Sequence, residues 1–290
     1  MNNIFNLKRF GLAFRKDILE SWKRYTLLFL TMLGIIAIVI TIYSFNQYLD
    51  IERYDRDMKL EEQIKLNKDL LAQSSLMFAA FGLLFASTFA NPMNSKLKKI
   101  SFLVSPSSNF EKYLTRWVIT VTGYIIAFFV ALWIADLIRV IICSARYPDL
   151  NVSFIDFTKL IYQNNDWSFG MENVFNKQLF MICTSIFFLF QSLFVLGSTF
   201  WEKSSFIKTF TACALIVLSF VLICRWTILL FYGGFDEFGN VMNSFESIEK
   251  NDENGDRALM IVSCVISVFT LTNWVIAFFR FRESEITKRI

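Results

Sequence analysis

The sequence predicts an all-α integral membrane protein: six transmembrane helices with both termini cytoplasmic, preceded by an amphipathic interfacial helix. Three observations carry that reading. The 290 residues are 55% hydrophobic, with 34 Phe and only 10 Gly and 3 Pro, and a mean hydropathy of +0.46 exceeds what a water-soluble domain sustains. Charged residues make up 19% and bracket long uncharged runs, as a spanning bundle requires. Those runs are apolar on every side instead of alternating, which excludes a β-barrel.

Residues 1–24 are expected to form the interfacial helix and 25–290 the six-span domain. The spans lie at about 25–49, 71–90, 117–143, 179–201, 209–232 and 258–279. A crossing needs about 20 apolar residues. Four runs meet that length without a charge: 25 residues between Arg24 and Asp50, 26 between Asp69 and Lys96, 24 between Lys177 and Glu202, and 22 between Arg257 and Arg280. The third span carries Asp136 and Arg139, and the fifth carries Arg225. On the side shared by the termini there are 17 Lys and Arg against 10 on the other, and 6 acidic residues against 18. The excess of cations places the termini in the cytoplasm. No cleavable signal peptide is expected, because the first apolar run is too long and follows 24 charged-segment residues.

The absence of histidine removes His-based catalysis, His metal ligands and His pH switches. Cys143, Cys183, Cys213, Cys224 and Cys264 all sit in apolar runs, so they are read as small buried hydrophobes, not as bridges. No metal site is expected. Asp252-Glu253-Asn254-Gly255-Asp256 invites a calcium loop, but the twelfth position from Asp252 is Ser263, where an EF-hand needs Glu; a solvated turn is the expectation. Between the first two spans, Glu52 with Arg56, Asp55 with Lys59 and Glu61 with Lys65 stand at i, i+4, favouring helical extensions of those spans.

The N-terminal segment sets Phe10, Phe14 and Trp22 among Arg15, Lys16 and further cations, a basic amphipathic pattern that suits the inner membrane surface. An anchor for the first span and a specific docking role are both open. From 91 to 117 the chain reads NPMNSKLKKISFLVSPSSNFEKYLTRW. Leu97, Ile100 and Val104 share one helical face, bounded by Pro92 and Pro106. That apolar stripe needs cover from lipid or a partner. Ser108-Asn109-Phe110-Glu111 has the form of a capping box, so a new helix is expected to start at about Asn109 and run into the third span.

This pattern resembles the permease subunit of an ABC-2-type bacterial exporter: a basic amphipathic helix, six spans with both ends inside, and Lys99 to Lys112 matching the family's coupling motif after the second span. The resemblance implies that Leu97, Ile100, Phe102, Leu103, Pro106, Ser107, Ser108, Glu111 and Lys112 couple the chain to a separate P-loop ATPase. It further implies two ATPase copies carrying ATP and Mg, a second permease copy as a homodimer partner, the bacterial inner membrane as location, and no enzymatic activity of the chain's own. The outer segment 50–69 is longer and more charged than the family pattern, and 233–256 is acidic and shows no re-entrant apolar hairpin. Independently of the family, the chain has no G-x-x-x-x-G-K-[ST] run: the only glycines at that spacing, Gly234 and Gly239, precede Asn240 and Val241. Any ATPase must therefore be another chain, with energy coming from such a partner or from a gradient, and no cofactor is expected in this one. Nucleic acid is not an expected partner; the lipid bilayer is.

Within the spans, Ser75, Ala79, Gly82, Ala86 and Ala90 form a small-residue face for close helix approach. Thr184, Phe188 and Gln191 are candidates for a substrate pathway; a mid-membrane amide must find a partner or line a cavity, and simple packing is the competing reading. Asp136 and Arg225 lie at equal depth and are candidates for an interhelical ion pair. The alternatives are Asp136 with Arg139 at i, i+3, or Arg225 reaching outward on its long stem. The aromatic-rich spans suit an amphiphilic or hydrophobic cargo. The alternative function is an ATP-independent ion-coupled carrier or channel, which would ordinarily place several ionisable groups at mid-membrane.

Overall fold

A computed structural model describes residues 5–51, 56–91, 106–148, 150, 152–155, 177–201, 204–232 and 252–287. Among these residues there is no strand, and six helices are long and apolar enough to cross a membrane. The helices are α1 (Leu7–Ile51), α2 (Arg56–Ser87), α3 (Asn109–Trp117), α4 (Tyr124–Arg146), α5 (Lys177–Phe200), α6 (Ser205–Tyr232) and α7 (Asp252–Thr287), with a π-helical stretch, Val118–Gly123, joining α3 to α4. The third span is thus the combined run Asn109–Arg146. The chain divides into two compact units, Met1–Phe175 and Asn176–Ile290.

In the first unit α1 packs chiefly on α4. Met32, Ile36, Ile40, Ser44, Tyr48 and Ile51 repeat at three- and four-residue steps along its buried stripe, and α4 answers with Phe128, Ala131, Leu132, Ala135, Asp136, Arg139 and Cys143. Each stripe is one helical face. Tyr147 closes the end of α4 against the rings of Phe45 and Tyr48, at 5.7 and 5.9 Å. On α2, Phe78 and Phe85 flank Tyr124 at 5.5 and 5.1 Å, and the Tyr124 hydroxyl donates to the Phe78 carbonyl. The small-residue face of α2 is divided: Gly82, Ala86 and Ala90 are buried and Ser75 is exposed, so its later half is covered within this chain.

The second unit packs α7 along α5 and α6 on α5. A Cβ built on Gly197 would lie 2.7 Å from Cγ2 and 2.9 Å from Cβ of Thr209; glycine lets α6 approach α5 this closely. The turn between them holds Ser204 at a positive φ of 55°. From Phe210 to Phe231 no residue of α6 is buried, a surface suited to hydrocarbon as solvent.

Three expectations change. Residues 7–24 are continuous with the first span: α1 runs unbroken from Leu7 to Ile51, since nothing between Glu20 and Leu28 interrupts a helix. Its 45 residues reach roughly 66 Å at ~1.5 Å per residue, against a hydrocarbon core of ~30 Å. Residues 252–256, expected as a turn, begin α7, where acidic residues favour the positive end of the helix dipole. Of the five cysteines only Cys143 is buried; Cys183 and Cys264 are exposed, because an apolar thiol in a span has no water to avoid. Of the expected ion pairs on 52–65, those involving Glu52, Asp55 and the side chain of Glu61 lie outside the described residues, while Lys65 pairs with Glu62 at 3.6 Å.

Candidate functional site

The first turn of α3 is built by the capping box read from the sequence. Ser108 is extended (φ −68°, ψ 157°); its Oγ accepts the Glu111 N–H at 3.2 Å, and Glu111 Oε2 accepts the Ser108 N–H at 2.9 Å. This closes the two donors that a helix start leaves open.

Glu111 does more than cap its own helix. Its Oε1 accepts the Asn6 N–H at 2.8 Å, and Arg9 grips both oxygens: Nη2 to Oε1 at 2.8 Å, and Nε to Oε1 and Oε2 at 3.0 and 2.8 Å. Asn6 immediately precedes α1, and its Oδ1 accepts the Lys8 N–H at 3.0 Å, the habit of an N-cap. One buried carboxylate therefore sits at the N-termini of two helices, where the dipoles of both favour its charge. Phe5 closes the contact edge-on against Phe110, at 6.2 Å between ring centres.

A second polar contact lies further along the same pair of helices. Arg116 Nη2 pairs with Asp17 Oδ1, Arg116 Nη1 donates to the Tyr25 hydroxyl at 3.1 Å, and that hydroxyl donates to Asp17 Oδ2 at 3.3 Å. Asp17 and Arg116 are both buried, so each charge has its counter-charge within a closed triangle, as burial demands. Between them the two contacts clamp the charged start of α1 to α3, the segment that leads into the third span.

Among the residues singled out in the sequence, Phe10 and Phe14 lie half-buried on the face of α1 that holds Asp17, while Arg15, Lys16 and Trp22 are exposed. Pro106 is exposed and Ser107, Glu111 and Lys112 are buried. Leu97, Ile100, Phe102, Leu103 and Val104 lie outside the described residues. The partners Asp17, Tyr25 and Arg116 were not singled out, and Arg9 counted only among the cations of its segment; the available signal was an acidic residue, Asp17, on the apolar face of a largely basic segment.

In α4, Asp136 Oδ1 accepts from Arg139 Nε at 2.7 Å and Oδ2 from the Ile155 N–H at 2.9 Å. Arg139 Nη2 donates to the Ser153 carbonyl at 2.7 Å, and Asn67 Nδ2 to Ser153 Oγ at 3.1 Å. Of the partners open to Asp136, the local one, Arg139, holds it. Arg225 stands exposed on α6 in the second unit. In α5, Thr184 Oγ1 donates to its own helix at the Phe180 carbonyl, 2.8 Å, and the Phe188 ring meets Trp274 edge-on at 6.4 Å. Gln191 is fully buried with neither amide atom hydrogen-bonded. Among the described residues no group of three or more Cys, Asp or Glu is placed to hold a metal ion.

Fold and composition together define a multi-pass, all-α membrane protein. Compared with protein-family models, curated proteins and solved structures, the chain matches none.

Proposed function

We propose that this chain is the membrane-embedded permease subunit of an ABC-2-type exporter, moving an amphiphilic or hydrophobic substrate by alternating access driven by separate ATPase subunits. In this reading it sits in the bacterial inner membrane as a homodimer, with both termini and the 91–116 segment cytoplasmic, and each copy docks one P-loop ATPase that binds ATP and Mg. The observation that supports it best is the double clamp of α1 on α3. A force applied by a partner at Lys96 to Ser108 would reach α3 through the Ser108–Glu111 cap, and from there both the third span, by continuity, and the first span, through Arg9 and Asp17. The π-helical stretch just beyond α3 departs from the regular ladder where α3 meets the span, and such stretches recur at functional joints.

Co-expression with a candidate P-loop ATPase tests the proposal. Replacing Leu97, Ile100 or Phe102 by Asp should abolish ATPase co-purification or transport-coupled hydrolysis while the chain still inserts. Survival of both under these changes overturns the coupling assignment, and ATP turnover by the chain without a second polypeptide overturns the division of labour.

A further inference from the structure

Gln191 presents a complete, unused hydrogen-bonding group at the middle of a span. It stands 14 residues beyond Lys177 and 11 before Glu202, with no charge between; its side chain is fully buried, and both Oε1 and Nε2 lack a partner. A buried amide left in this state is a standing cost that membrane helices seldom carry without a use. The surroundings are polar at the same level: neighbouring Ser192 accepts from Asn273 Nδ2 across to α7 at 3.0 Å, and one turn earlier Phe188 packs on Trp274, the residue after Asn273. A second polar contact, Ser185 with Ser267 at 3.4 Å, continues along the same pair of helices.

We infer that Gln191 is a substrate-binding residue that takes an uncharged group able both to donate and to accept a hydrogen bond, such as the hydroxyl or amide head of an amphiphile. The chemistry of the side chain selects this class. A primary amide offers one acceptor and two donors: a carboxylate or sulfate would fill only its N–H groups, an ammonium only its oxygen, and either would bring an unpaired charge to a level where α5 offers no counter-ion. The rings of Phe187 and Phe188, 5.3 Å apart, supply the apolar wall for the rest of such a molecule. The inference rests on the transporter reading, since Gln191 must become reachable from water in another state of the cycle.

The test introduces Gln191→Cys, Ser192→Cys or Phe190→Cys singly into the full chain after its five native cysteines are replaced by Ala, and treats sealed membrane vesicles of both orientations with a charged, membrane-impermeant methanethiosulfonate. Phe190 is exposed on the outer surface of α5 and serves as the lipid-facing control. The expected result is modification at 191 and 192 and none at 190; in Ser192→Cys, where the Gln191 amide is intact, octyl glucoside below its micellar concentration should protect while octyl sulfate and octyltrimethylammonium fail to protect. If Gln191→Cys does not accumulate in the membrane, Ser192→Cys carries the same readout. Absence of modification from either side at both positions overturns the inference, as does equal protection by all three amphiphiles. Should 191 stay unmodified while the Asp substitutions at 97, 100 and 102 still uncouple an ATPase, the exporter reading stands and the binding residue falls; modification at 191 with no ATPase engaged supports the site and rejects the energy source.

Discussion

Glu111 and Arg9, 102 residues apart in sequence, are joined through both carboxylate oxygens, and the two partners are unequally exposed: the Arg9 side chain is 35% accessible and that of Glu111 is 0%. Loss of one partner should therefore differ from loss of the other. Without Glu111, Arg9 can turn to water; without Arg9, the carboxylate keeps only the amides of Asn6 and Ser108. Glu111→Gln places an NH₂ where one of those N–H donors now finds an oxygen, and leaving a buried donor unmet costs about 1–3 kcal/mol. Arg9→Lys keeps the charge but not the fork and should cost less. Thermal unfolding of the purified chain in detergent should rank wild type above Arg9→Lys and both above Glu111→Gln; the reverse order removes Glu111 from the centre of the clamp.

The Asp17–Arg116–Tyr25 triangle predicts a graded series. Tyr25→Phe withdraws one hydroxyl that both accepts from Arg116 and donates to Asp17, at about 1–2 kcal/mol. Asp17→Asn strands a buried guanidinium and should cost about 3–5 kcal/mol. Asp17→Leu combined with Arg116→Met removes both charges and should recover most of that loss in stability. If the clamp carries force, the double variant should still fail to couple ATPase turnover to transport. A coupled, fully active double variant would reduce the triangle to packing.

The cap of α3 was legible because Ser108 and Glu111 are three residues apart, and a local motif needs no knowledge of the fold. Arg9 and Asp17 were not, since helix periodicity places them on a face without saying what covers it. The six spans were legible because hydrocarbon thickness sets their length, whereas the continuation of α1 back to Leu7 and of α7 to Asp252 lies in charged sequence that this argument does not reach. For Asp136 the sequence fixes depth within the span but not helix rotation, and only the return of residues 153–155 alongside α4 explains why its second oxygen is satisfied by a backbone amide. Gln191 stood out as an amide near the middle of an uncharged run; that it is fully enclosed and unpartnered required the structure.

Gly197 should tolerate no side chain while α6 stays where it is. A Cβ there would fall within 3 Å of both Cβ and Cγ2 of Thr209, and neither atom is the far end of a flexible chain. Gly197→Ala should destabilise the second unit by about 1–3 kcal/mol, the usual cost of overpacking, and Thr209→Gly should rescue it in the double variant. Cross-linking between Leu193→Cys and the native Cys213, with the other four cysteines replaced by Ala, offers a direct readout: its efficiency should fall with Gly197→Ala and return with the second change. An unchanged yield in the single variant would show that the two helices are not held at this point.

The last prediction concerns Asp136, whose two oxygens are taken by Arg139 and by the Ile155 amide. Asp136→Asn removes the counter-charge from Arg139, a fully buried guanidinium, and should cost about 3–5 kcal/mol. It also weakens the tie between α4 and 153–155, because a neutral acceptor holds the amide less firmly than a carboxylate. Replacing both charges, Asp136→Leu with Arg139→Met, relieves the electrostatic cost, yet deletes the bonds to Ile155 and Ser153. The double variant should therefore recover stability of the helices while residues 152–155 become sensitive to protease in intact vesicles. Arg225→Gln separates this arrangement from the interhelical alternative. With Asp136 already satisfied by Arg139, that change should move stability by no more than ~0.5 kcal/mol, as for a surface site without a required partner. A loss on Arg225→Gln equal to that of Asp136→Asn, and not additive with it, would instead make Arg225 the partner that matters.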